Sequence, residues 1–332
     1  MMHLKSRRDF LKETGKGALF STIVLSSAHT YSAGLLDPGN MKTAGMRIGI
    51  IGAENSHTIG YGRLFNRDKK FPGMEVQYVW GETEAFARKA VEEGDIPNMV
   101  SDPVEMLGRI DALIVDHRHA KYHLDAAEPF IKAGIPTFID KPFCYRVSDG
   151  KEFLALAREK GTPVTSFSSR RQSDATFDMK KQLESLGEYQ HIICLGPADL
   201  DSQYGGIFFY GVHIVEPMLY LFGENITRAR VSRNGANASA SLSYDDGKLA
   251  TLLFKNLSHG WETFVETKEG IIELTSRVEE TDPARNYVDM VDMFRTGREP
   301  RSHRSILAGV AVLEALERSA ITGDWVDVPC ID

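Results

Sequence analysis

The 332-residue sequence has little cysteine, no excess of positive charge and no long apolar run. Its three cysteines, Cys144, Cys194 and Cys330, are odd in number and far apart, which makes neither a zinc ribbon nor a disulfide framework. The formal net charge is -7; residues 1–33 hold +3, so the remainder holds -10. That balance argues against gripping a phosphate backbone, and no nucleic-acid partner is expected. The apolar stretch from Gly17 to Ala28 falls short of the roughly 20 residues that cross a bilayer, so no stable membrane anchor is expected either. There are no internal repeats or low-complexity tracts. What is present is a globular composition, 42% hydrophobic and 26% charged, with length for two domains at ~150 residues each.

The amino terminus reads as targeting rather than fold. Ser6-Arg7-Arg8-Asp9-Phe10-Leu11-Lys12 precedes the Gly17–Ala28 run, and Ser26, Ser27 and Ala28 supply small residues at its end. The segment resembles a twin-arginine signal, which implies export by that machinery to the periplasm in folded form. Residues 1–33 are assigned to the signal and residues 34–45 to a tether.

From Met46 the chain alternates strand and helix. Met46–Ile51 is a buried strand followed by a turn at Gly52, and the first helix lies around Gly60–Phe65. Met74–Trp80, Ala112–Val115 and Ile135–Ile139 are further strands, with helices over Glu82–Glu93, His123–Ala133 and Asp149–Lys160 between and after them. Asp102 caps a short helix to Leu107, and Thr162–Phe167 closes the sheet. This rhythm predicts a Rossmann-like, doubly wound parallel α/β sheet over residues 46–168. The rest, 169–332, changes character. An apolar helix over Tyr210–Phe222 precedes strands over 226–233, 238–244, 249–256, 261–267 and 271–275, with glycine turns at Gly247 and Gly270. Helices over 285–294 and 305–321 follow. An α+β domain with a mainly antiparallel open sheet is predicted.

Position singles out Lys141. It follows the strand ending at Ile139, and the carboxyl ends of strands in an open α/β sheet border the ligand crevice. His57, His117, His119, His123 and His213 fall on loops or helix starts that could line one crevice. Imidazoles at His57, His117 and His119 with Asp116 could bind a metal, but the spacing is no established ligand motif and no metal site is predicted. Arg170 and Arg171, after the last strand of the first sheet, could clamp a hydroxyl pair or carboxylate on a substrate. Trp261 and His259 are read as packing or subunit-face residues.

Four segments in order carry a resemblance: Met46–Gly52; Ala133–Pro142, with Asp140-Lys141-Pro142 at its end; Gly211-Val212-His213 through Gly223; and Phe294–Pro300 with Glu314–Gly323. Over residues 46–330 the chain resembles the glucose–fructose oxidoreductase / inositol dehydrogenase (Gfo/Idh/MocA) family. The resemblance implies an NAD-dependent oxidoreductase acting on a sugar, polyol or glycoside, and a homo-oligomer formed through the carboxy-terminal sheet. It implies that Lys141 and His213 flank the reacting carbon, with Tyr210 adjacent, and that His123 and Tyr210 face substrate together with Arg170 and Arg171. Gly52, Asn55, Ser56, His57, Glu82, His119, Asp140 and Lys141 are implied around the cofactor, with NADP disfavoured by the Glu82 carboxylate. There are departures. Glu54 and His57 stand where the family has its second and third glycines, Gly81 where it has its ribose-binding acid, and Phe209 where an aspartate commonly precedes the histidine. Two alternatives stay open: NAD-assisted glycoside cleavage without net redox, and a non-redox hydrolase, lyase or carbohydrate-binding protein on the same scaffold.

Overall fold

A computed structural model describes residues 45–279 and 282–331. The twin-arginine motif and most of the tether lie outside the described residues. No helix among the described residues is long and apolar enough to cross a membrane.

The first sheet contains β1 (Met46–Ile51), β2 (Met74–Trp80), β3 (Asn98–Met99), β4 (Ala112–Val115), β5 (Thr137–Ile139) and β6 (Val164–Thr165) in the order β3-β2-β1-β4-β5-β6. Every pairing is parallel. The strand order reverses between β1 and β4, and such a switch point opens a crevice at the strands' carboxyl ends. The central strands β4 and β5 are short, fully buried and largely apolar because both faces are covered. Helices α1 (Ser56–Gly62, continued by a π turn at Arg63–Arg67) and α2 (Glu84–Gly94) lie on one face. Helices α3 (His123–Lys132) and α4 (Val147–Lys160) lie on the other.

Helix α5 (Asp174–Leu186) and strand β7 (Tyr189–Pro197) lead into the second sheet. After β7 come α6 (Ile207–Phe222), the strands β8 (Ile226–Asn234), β9 (Asn237–Tyr244), β10 (Leu249–Lys255), β11 (Glu262–Thr267) and β12 (Gly270–Glu273), the helices α7 (Val288–Thr296) and α8 (His303–Thr322), and β13 (Val326–Asp327). The sheet order is β12-β11-β7-β10-β9-β8-β13. It is mixed rather than purely antiparallel, because β7 enters between β11 and β10 and runs parallel to β10. Alternate residues of β9 and β10 are buried, and their inward side chains share a core with α6 and α8. The opposite face is open, with Leu249 and Leu253 exposed at 40% and 43%. Helix α7 returns to the first sheet, where Met290, Met293 and Phe294 join the core around Ile48 and Phe138.

Candidate functional site

At the switch point Gly52 ends β1 with φ +107, and a Cβ there would meet the Asp116 backbone at 2.6 Å. Only glycine allows so close a passage of the loop past β4. Beyond it Asn55 caps α1, its Oδ1 accepting from His57 N. Glu82, just past β2, turns back onto this loop. Its Oε2 accepts from the backbone N–H groups of Ala53 and Glu54, both at 2.9 Å. The Glu54 carboxylate faces the other way, across the crevice, accepting from the Tyr204 hydroxyl at 2.6 Å, with Arg118 at 3.9 Å. Arg118 is stacked 4.3 Å from the Tyr204 ring centroid and donates to the Tyr204 hydroxyl. A negative charge at the family's second glycine position is thereby answered locally.

The end of β5 carries the densest polar cluster. Asp140 Oδ2 receives His57 Nδ1 at 2.8 Å and faces Lys141 Nζ at 3.9 Å, and Tyr61 Oη reaches Oδ1 at 3.3 Å. Asn55 Nδ2 donates to Asp116 Oδ1 at 2.8 Å and approaches Asp140 Oδ2 at 3.4 Å, while Thr58 Oγ1 bonds Asp116 Oδ2 at 2.6 Å. Burial drives the Asp116 carboxyl well above its ordinary range, reinforced by the charge of Asp140. Burial also works against ionised Asp140, but His57 and Lys141 outweigh it and hold that carboxyl far below its ordinary range. The Lys141–Pro142 peptide is cis. His57, Asp116 and Asp140 place ligand-type atoms within 4.8 Å of one another. The cation they face is the Lys141 ammonium, and we assign no metal there.

Opposite this cluster, α6 presents His213. Its Nδ1 lies 2.7 Å from Ser168 Oγ, and the Ser168 backbone N–H donates to Glu216 on the same helix. Glu216 in turn pairs with Arg301 at 3.0 Å, both side chains being almost fully buried. Burial pushes His213 well below the usual imidazole range, and the Lys141 charge adds to this. His213 is therefore neutral at neutral pH, with Nδ1 occupied and Nε2 left for the crevice. The Phe209 ring lies 5.7 Å from the Lys141 ammonium, and Tyr210, 39% exposed, touches His213 ring to ring at 5.7 Å. Trp261 packs edge-on to His213 at 5.8 Å with the Arg170 guanidinium 4.2 Å over its ring, so it borders the site.

The sequence-predicted residues divide accordingly. Gly52, Asn55, His57, Glu82, Asp140 and Lys141 converge at the switch point, with His213, Tyr210 and Arg170 around His213. Ser56 is the first, exposed residue of α1. His123 is fully buried, with Nε2 on the His117 carbonyl at 2.8 Å and Nδ1 on the Pro142 carbonyl at 3.0 Å. Neither nitrogen remains for a substrate, so His123 pins two loops instead. Arg171 turns away behind α6, over Tyr220, and burial lowers it to about 10. His119 caps the turn before α3 and faces a separate cavity of about 420 Å³ that includes Tyr145, Arg233 and Glu317. His117 lies against Trp80 and Tyr122, so the imagined His57–His117–His119 grouping does not form. Thr58, Tyr61 and Ser168 escaped sequence reasoning as site residues, and Asp116 entered it only as a conceivable metal ligand. Only the polar word after each strand hinted at Asp116 and Ser168.

Residues 46–167 match the model of an oxidoreductase family described as having an NAD-binding Rossmann fold. The chain is 30% identical over 217 residues to the uncharacterized oxidoreductase YhhX of Escherichia coli (strain K12), covering 58% of this chain and 63% of that protein. It is 23% identical over 237 residues to scyllo-inositol 2-dehydrogenase (NADP(+)) IolW of Bacillus subtilis (strain 168), covering 65% and 64%. The chain thus spans just under two thirds of the length of these relatives. Among solved structures, myo-inositol dehydrogenase from Lactobacillus casei in complex with NAD(H) and myo-inositol superposes with a TM-score of 0.73 at 16% identity, covering 86% of this chain and 97% of that one. The match to the oxidoreductase family model spans residues 46–167, the segment that builds the first sheet and its switch-point crevice, and the solved structure shares the fold.

Proposed function

We propose that the protein is a nicotinamide-dependent oxidoreductase acting on a polyol, sugar or glycoside. The observation that carries this reading is the pairing of a buried lysine and a neutral histidine across the mouth of a family nucleotide crevice. Two buried polar atoms without partners among the described residues, Glu82 Oε1 past β2 and His117 Nδ1 past β4, flank the Gly52 turn. An acceptor and an aromatic-backed ring nitrogen suit the hydroxyls and base of a dinucleotide, and Gly52 provides room for its backbone approach. The residues present therefore fit NAD, and the Glu82 carboxylate disfavours a 2′-phosphate beside it.

Bound nicotinamide supplies the hydride acceptor. The chain supplies the proton chemistry. Lys141 holds the carbinol oxygen by charge, and neutral His213 takes the hydroxyl proton at Nε2 while Ser168 fixes the ring through Nδ1. Tyr210 and Arg170 border the volume in front of His213 and contact the remaining hydroxyls. The similarity to inositol dehydrogenases makes cyclic polyols the first substrates to try. Export by the twin-arginine route to the periplasm rests on Ser6–Lys12 and the Gly17–Ala28 run behind it. A homo-oligomer through the open face of the second sheet rests on its exposed Leu249 and Leu253.

The test is the near-ultraviolet absorbance of reduced nicotinamide across a panel of polyols, sugars and glycosides. The wild type should reduce NAD with at least one of them, and Lys141→Ala should lose on the order of 10²–10⁴ in turnover. Glycoside cleavage with no net reduction would assign the transient-redox alternative. A wild type inactive in both assays would sink the proposal.

A further inference from the structure

The mechanism leaves one group unused. His57 sits on the nucleotide loop, where the family has a glycine, yet its ring turns toward the lysine and not out along the loop. Its Nδ1 meets Asp140 Oδ2 at 2.8 Å, and the same oxygen faces Lys141 Nζ at 3.9 Å. Ionised Asp140 can only accept hydrogen bonds, so the proton of this bond belongs to His57 Nδ1. Asn55 and Tyr61, on either side of His57, reach the Asp140 carboxylate as well. One carboxylate thus gathers side chains from the loop start, the first turn of α1 and its second turn. The other charged or titratable groups facing this point are Asp116 past β4, His213 on α6, and Tyr287 against Tyr61. Lys141 and Asp140 are 6% and 4% exposed in their side chains, whereas the His57 side chain is 30% exposed. His57 is therefore the member that reaches both the mouth of the nucleotide loop and the buried pair.

We infer that His57 is a positioning residue that joins the nucleotide loop to Lys141 through the Asp140 carboxylate, so that occupation of the loop and placement of the lysine are energetically coupled. The family reading supplies the role of the crevice, and this inference rests on it. The physical reason is that a shared acceptor cannot optimise both partners independently. A shift of α1's first turn on ligand binding moves His57, and Asp140 follows or loses a charge-assisted bond. A glycine loop lacks this link, because glycine has no side chain to reach the β5 end.

A double-mutant cycle with two readouts tests it, on the full chain. The first is NAD affinity by calorimetry. His57→Ala should weaken NAD binding about tenfold or more, as expected for losing a hydrogen bond to a charged group. His57→Asn, which can place a donor near Nδ1, should recover most of that. In an Asp140→Asn background, His57→Ala should cost less than about threefold, because the charge that strengthens the bond is already gone. Equal losses in both backgrounds would overturn the inference. The second readout needs no cofactor: ¹⁵N resonances of the His57 ring. The wild type should show the Nδ1–H tautomer, and Asp140→Asn and Lys141→Met should each move it. A His57 signal indifferent to both substitutions would overturn the inference. Failure of the wild type to bind NAD would instead count against the proposed function, leaving the ring signal to decide the coupling.

Discussion

The two sides of the crevice hold their key residues differently. On the first sheet, Lys141 faces a carboxylate that also takes His57 and Tyr61, with Asn55 nearby and the buried Asp116 carboxyl behind. On the second, His213 has a single hydroxyl partner at Nδ1, and the charge lies one layer deeper in the Glu216–Arg301 pair. The lysine side is thus a network of titratable groups around one ion. The histidine side is a neutral ring propped on a buried salt bridge. The difference explains how the site tolerates Phe209 in place of a carboxylate: orientation of His213 comes from Ser168, and charge stays with Lys141.

The deepest support should be the most costly to remove. Arg301→Met leaves Glu216 buried without its partner, and about 3–5 kcal/mol of stability should be lost in denaturant titration. A loss under about 1 kcal/mol would mean the histidine side does not lean on that pair. Within the site, the comparison predicts unequal effects. Asp140→Asn should lower turnover about a hundredfold by misplacing Lys141. Ser168→Ala removes two neutral hydrogen bonds, to His213 Nδ1 and from the Arg170 backbone N–H, and should cost about tenfold or less. The reverse order would contradict the division drawn between the two sides.

Acid supplies a third comparison. Burial holds His117 at about 3 and His119 at about 4, and keeps His123 and His213 below the usual range. Unfolded imidazoles protonate near pH 6.5 while these do not. Their lowered values favour the unfolded chain as pH falls below about 6.5, so stability is greatest above that point. By about pH 5 the buried His117 should have cost on the order of 2 kcal/mol, and the more exposed His119 less. Thermal melts at stepped pH measure the slope. His123→Gln should flatten it, although loss of its ring's contacts with the two loops will lower the melt throughout.

The first sheet was more legible than the second, for physical reasons. β1 and β4 are largely apolar because helices cover both faces, β2 alternates with Glu75 exposed, and the edges of all three match the sequence reading. β7 carries Gln190 and His191 exposed and enters its sheet parallel to β10, so neither alternation nor hairpin spacing announces it. α5 is mostly polar and escaped for the same reason. β3, two exposed residues long, has no pattern to read. In the site, Lys141 was legible because a strand end fixes its place. The His57–Asp140 bond joins positions 83 apart, and Ser168–His213 positions 45 apart, so both depend on packing that spacing does not encode. His123 misled because a helix start reads as accessible, whereas the α3 start is roofed by the Pro142 loop.

Native mass spectrometry of the purified full chain tests the central claim most directly. The account predicts one NAD per chain, either carried through purification or taken up saturably on addition, with Gly52→Ala abolishing uptake because its Cβ would strike the Asp116 backbone. A chain that stays free of dinucleotide in excess NAD and excess NADP would contradict it.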